Sequence, residues 1–150
     1  MAGARLYFGS DHAAIELREH LATRAREAGH DVVATLGPAG SDEKADYPDV
    51  ALELAQRVRA DVGAFGVLVC GTGQGMAITA NRVAGIRAVV CSDTFSADMG
   101  RAHNDANVLC VGARVVGLGL AGSIFDAFVA GTFEGGRHQR RVDKINALDA

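Results

Sequence analysis

The segment Cys70-Gly71-Thr72-Gly73-Gln74-Gly75 places a thiol directly before a glycine-rich turn. An ionised cysteine is a nucleophile and a base, and glycines let backbone N–H groups approach a ligand closely. A helix starting at such a turn adds free N–H groups and a partial positive charge, which favour a thiolate and offer donors to a developing oxyanion. The bland alternative is a buried structural cysteine beside a tight corner. Spacing argues against two phosphate-binding readings. No Gly-Lys-Ser/Thr follows, so this is not a P-loop. The pattern is GxGxG after a third strand, whereas the dinucleotide fingerprint is GxGxxG after a first.

Other residue types gather at a few places. Asp11-His12 reads either as a helix N-cap with a first-turn histidine or as an acid–base pair. His103-Asn104 is either a helix C-terminal pair or a second polar site. Arg137 and Arg141 are four apart and share a helix face beside His138, as a phosphate fork or as a solvated charged face. Cys91 and Cys110 lie within apolar runs and read as core. His20 and His30 read as surface residues. No histidine, cysteine or carboxylate pair has a metal-ligand spacing, so no metal is expected.

These groups need elements to hold them. Short β-rich runs at 6–9, 32–36, 65–70, 88–91 and 108–111 alternate with helical stretches. In the first helix, about 12–28, Leu17 and Leu21 recur at helical spacing, with Glu16, Arg18 and Glu19 on other faces. Helices follow at about 48–60, through Met76 to Ala80, and at about 94–102 and 118–130. A last one starts near Gly136. Such alternation predicts an α/β fold, a five-stranded parallel sheet covered on both faces. With the flavodoxin-like strand order 2-1-3-4-5, ligands bind between strands one and three, beyond their carboxyl ends. Asp11-His12 and the Cys70 loop leave those two strands.

At 150 residues, with no linker or repeat, the chain is expected to form one domain over 1–150. A net charge of −3 gives no reason to expect nucleic acid. The basic cluster Arg137, Arg140, Arg141 and Lys144 is the size of a phosphate group instead. No apolar run approaches the ~20 residues that span a bilayer, and no secretory leader is evident. Three cysteines without paired spacing fit reduced thiols, so the expected compartment is the cytoplasm.

The series GSDHAA, DYPD, CGTGQG, ANRVAGIRAVVCSD, HNDANVLCVGARVVG and EGGRHQRRV resembles the ribose-5-phosphate isomerase B family, which includes the galactose-6-phosphate isomerase subunits. The likeness implies a Rossmann-like three-layer sandwich and a cofactor-free, metal-free aldose–ketose isomerase. It implies Cys70 as the base that moves a proton between C1 and C2. One branch of the family has serine there and a glutamate where this chain has Gly75 or Met76, so this chain resembles the cysteine-base branch. By the same resemblance the amides of Gly71, Gly73 and Gly75 form an anion hole with Asn104, and Asp11 and His103 open the sugar ring, Thr72 helping. Arg137 and Arg141 hold the phosphate with His12, Arg114 and His138, and Tyr47 lines the sugar pocket. The partner implied is a small phosphorylated sugar, and the assembly a homodimer with shared sites, sometimes paired into tetramers. The expected substrate is ribose 5-phosphate. Galactose 6-phosphate, allose 6-phosphate, a tetrulose phosphate and a non-catalytic sensor are the rivals.

Overall fold

Side chains alternate across each strand, and in this chain both faces of the central strands are apolar. The computed structural model describes residues 3–149. Its elements are β1 (Arg5–Ser10), α1 (Ile15–Glu27), β2 (Asp31–Leu36), α2 (Tyr47–Ala60), β3 (Phe65–Cys70), α3 (Gln74–Ala80), β4 (Ala88–Val90), α4 (Thr94–Asn104), β5 (Val108–Gly112), α5 (Leu118–Ala130) and α6 (Arg137–Asn146). Leu6, Phe8, Val67, Val69, Leu109 and Val111 point to one face and pack with Leu17, Leu21, Ala97, Ile124, Phe125 and Phe128 of α1, α4 and α5. Tyr7, Leu68, Cys70, Val108 and Cys110 point to the other and pack with Val50, Leu54 and Val58 of α2 and Met76 and Ala80 of α3. Two cores on one pleated sheet follow from the period of two. This is the expected three-layer α/β sandwich.

The strands are all parallel, but their order is β2-β1-β3-β5-β4. The expected order 2-1-3-4-5 is therefore wrong at its last two strands. Right-handed crossovers explain why. Connections that step toward the β4 edge run through α2 and α3, on one face. Those that step back toward β2 run through α1 and α4, on the other. Because α4 lies on the α1 face, the chain must step backward from β4 to β5. Burial agrees: β5 is buried along its whole length, whereas three-residue β4 is half exposed and forms an edge. The β1–β3 neighbourhood is as expected, so the crevice at the reversal of strand order lies between them.

Three local readings change. Asp11 does not cap α1, which starts four residues later behind Ala14; its Oδ1 accepts a hydrogen bond from Ala13 N–H and forms a turn. Arg18 does not face solvent. Its guanidinium is buried and donates from Nη1 to Ser10 Oγ, Leu36 O and Pro38 O, stitching the ends of β1 and β2 to the loop at 37–46. His30 is no free surface residue either, since Nδ1 accepts from Ala4 N–H and its ring meets Phe125 edge-on.

Candidate active site

At the carboxyl ends of the strands, Cys70 closes β3 with its side chain on the α2/α3 face, 6% exposed. Gly73 N–H donates to its Sγ at 3.2 Å, a bond that strengthens as charge develops on sulfur. To turn that amide back onto sulfur the chain takes φ of +80° at Gly73, a left-handed value that a side chain resists. Thr72 Oγ1 accepts from Gln74 N–H and steadies the turn before α3. Gly75 is the other position that must stay small, because a methyl there would overlap the Tyr47 ring at the start of α2. Met76 is buried beneath the turn. Gly75 is thus the position next to the tyrosine, and it carries no acid.

Three more residues border this loop. Arg114 N–H donates to Gly71 O at 3.0 Å, and its side chain lies beside Gly71. His12 and Asp11 follow β1, half buried. Ala45 N–H donates to His12 Nδ1 at 3.3 Å, which leaves the proton of the neutral ring on Nε2, free to donate to an anion. Asp11, His12, Tyr47, Cys70, Gly71, Thr72, Gly73, Gly75 and Arg114 therefore share one end of the sheet.

The remaining expected residues lie at the other end. Helix α4 runs back from the carboxyl edge, so His103 and Asn104 in its last turn sit where β5 begins. Glu134 N–H donates to Ala102 O at 2.9 Å and brings the start of α6 alongside. There His138 stacks on His103, with centroids 4.1 Å apart and planes 10° apart. Arg137 and Arg141 are exposed on α6, and among the described residues neither forms an ion pair. A strand of six residues spans roughly 20 Å, which is the scale of the gap between the two groups. One copy of the chain does not bring Cys70 to His103 or to the arginines.

Glu134 received no role from the sequence. Its Oε1 lies 3.5 Å from His138 Nε2 and 3.7 Å from His103 Nε2. The three ligand atoms fall within 4.8 Å of one another, a cluster that linear spacing did not reveal. The rings nonetheless lie nearly parallel, face to face. An ion shared between them would sit far out of both ring planes, away from the nitrogen lone pairs. The arrangement suits a carboxylate facing an imidazole pair better than a metal.

Burial holds the His138 imidazole below its ordinary pKa, His103 and Arg137 push the same way, and Glu134 opposes them. The unfolded chain thus takes up this proton at a higher pH than the folded one. Stability contributed by neutral His138 is complete above about pH 6.5 and is lost as pH falls below it. His138→Asn is expected to flatten the fall of Tm between about pH 6.5 and 5, measured by thermal melts; an unchanged slope would contradict it. Burial also pushes the Cys91 thiol up to about 11 and the Cys110 thiol higher still, so both stay protonated core residues.

Residues 6–145 match the ribose/galactose isomerase family. The chain belongs to that family. It is 45% identical over 145 residues to ribose-5-phosphate isomerase B of Escherichia coli, covering 97% of this chain and 96% of the relative. It is 43% identical over 138 residues to D-erythrulose-4-phosphate isomerase of Pectobacterium atrosepticum, covering 91% and 90%. The structure of ribose-5-phosphate isomerase B from Mycoplasma genitalium with bound ribulose-5-phosphate superposes with a TM-score of 0.93 at 35% identity, covering 99% of this chain and 98% of that one. No helix among the described residues is long and apolar enough to cross a membrane.

Proposed function

We propose that this aldose–ketose isomerase interconverts ribose 5-phosphate and ribulose 5-phosphate through a cis-enediolate, without metal or cofactor, at sites shared between two copies of the chain. The observation that carries the reading is the Cys70 thiol held against Gly73 N–H at the mouth of the β1–β3 crevice. In the proposed cycle Asp11 takes the O1 proton of the furanose, the C1–O4 bond breaks, and His103 gives a proton to O4. The Cys70 thiolate then removes the C2 proton. Negative charge passes to O1, where the amides of Gly71, Gly73 and Gly75 and the Asn104 side chain stabilise it. Cys70 returns its proton to C1 while the O2 hydroxyl proton moves to O1, giving the ketose. Arg137, Arg141, His12, Arg114 and His138 clamp the phosphate and lend binding energy to the reacting carbons, while Thr72 assists the ring opening and Tyr47 lines the sugar.

The shared site rests on the topology. Ile78 stands 67% exposed on α3 next to the Cys70 loop, and Leu148 stands 81% exposed just beyond α6 at the other end. Covering both in a two-fold dimer would bring the Cys70 end of one copy to the His103 end of the next. The proposed setting is the cytoplasm, where the thiol stays reduced.

The similarity to an erythrulose-4-phosphate isomerase favours one alternative, a four-carbon substrate. Comparing kcat/KM for ribose 5-phosphate, erythrulose 4-phosphate, allose 6-phosphate and galactose 6-phosphate tests the reading. Ribose 5-phosphate is expected to lead by about tenfold or more. A higher value for the tetrulose phosphate would reassign the substrate, and turnover of none would leave a sensor.

A further inference from the structure

The stacked pair His103–His138 is an unusual base for acid catalysis, because two imidazoles in contact resist carrying two protons. His138 is 6% exposed, sealed under His103 and anchored by its own N–H to Gly135 O. The charged groups facing it are His103 from α4, Arg137 and Arg141 from α6, and Glu134 from the connecting loop. Three of these are basic. Glu134 is the one carboxylate, and its Oε1 faces Nε2 of both rings from 3.5 and 3.7 Å. Both separations exceed a hydrogen bond, so the coupling is electrostatic. Its backbone bond to Ala102 O holds the loop against the helix turn that carries His103.

We infer that Glu134 is a positioning residue for ring opening: its carboxylate balances the single proton carried by the His103–His138 pair and orients the His103 ring that delivers it. This rests on the reading that His103 protonates the furanose oxygen. Because His138 is buried and cannot easily take the proton, the charge that Glu134 supports falls on His103. That proton goes to O4 as the C1–O4 bond breaks. The anion at Glu134 therefore matters for the cyclic sugar and not for the enediolate step, which belongs to Cys70.

The two directions of the reaction separate these roles. Ribose 5-phosphate closes through O4 into a furanose. Ribulose 5-phosphate has its carbonyl at C2 and its O5 esterified, so it has no hydroxyl with which to close a five-membered ring. Exchange of its C1 hydrogen with solvent needs the Cys70 step alone. Glu134→Gln is expected to lower kcat for ribose 5-phosphate by about tenfold or more at neutral pH. Deuterium washout from C1 of ribulose 5-phosphate should stay within about twofold of wild type, as a purely local electrostatic change predicts. His103→Asn, run in parallel, should show the same split more strongly. Glu134→Gln behaving like wild type while His103→Asn shows the split would overturn the inference and leave the His103 reading intact. Equal loss of both reactions in Glu134→Gln would make the residue merely structural. Retained ribose 5-phosphate turnover in His103→Asn would remove the reading and the inference together.

Discussion

Cys70→Ala is expected to lower kcat for ribose 5-phosphate by at least about a thousandfold, within the range that a positioned acid–base group contributes. No other thiol can substitute. Cys91 and Cys110 are buried in the two cores, and burial keeps both protonated. The remaining groups of the loop are amides and the Thr72 hydroxyl, none of which is a base at neutral pH. The phosphate clamp and the loop geometry do not depend on sulfur, because Gly73 takes its left-handed turn from the backbone and Arg114 bonds Gly71 O through its own N–H. Binding of the sugar phosphate, measured by calorimetry, should therefore change by less than about threefold while turnover collapses. The substitution removes one sulfur from a nearly buried position, so about 1 kcal/mol of stability is the expected cost, visible as a small drop in Tm. Turnover near the wild-type value would sink the assignment of the base.

What could be read from the chain was what neighbours in sequence decide. The β3 run into Cys70 and the glycines after it are contiguous, so the strand, the turn and the chemistry at its end stood together. The β1–β3 crevice also followed, since β1 and β3 lie at the point where strand order reverses. The exchange of β4 and β5 did not, because it depends on which face α4 covers, and helical periodicity marks an apolar stripe without naming its side of the sheet. Arg18 looked like a polar residue on a helix face. Its burial depends on Ser10, Leu36 and Pro38, whose oxygens converge only after β1 and β2 pair. Glu134 meets His103 across separate elements, and nothing in linear spacing relates them. The expected site residues could be named from the chain, but their division between the two ends of the sheet emerged from the direction in which α4 runs.

That division sets up the second large effect. If each site takes Cys70 from one copy and His103 from the next, two inactive variants should restore each other. Cys70→Ala alone has no base in either site of the dimer, and His103→Asn alone has no ring-opening acid in either. Mixed, dissociated and reassociated in equal amounts, half the dimers should be hybrids. Each hybrid holds one site with both lesions and one with neither. About a quarter of wild-type activity is thus expected from two preparations that each show almost none, by the symmetry of a two-fold interface. The measurement is kcat per total site for ribose 5-phosphate after reassociation, with each variant taken through the same cycle alone. A site contained in one copy predicts the opposite, because every chain in the mixture would still carry a lesion and activity would stay at the sum of the two. The geometry weighs against that outcome: a single chain keeps Cys70 and His103 at opposite ends of strands that span roughly 20 Å, and each must come within about 3 Å of the same small sugar to transfer a proton.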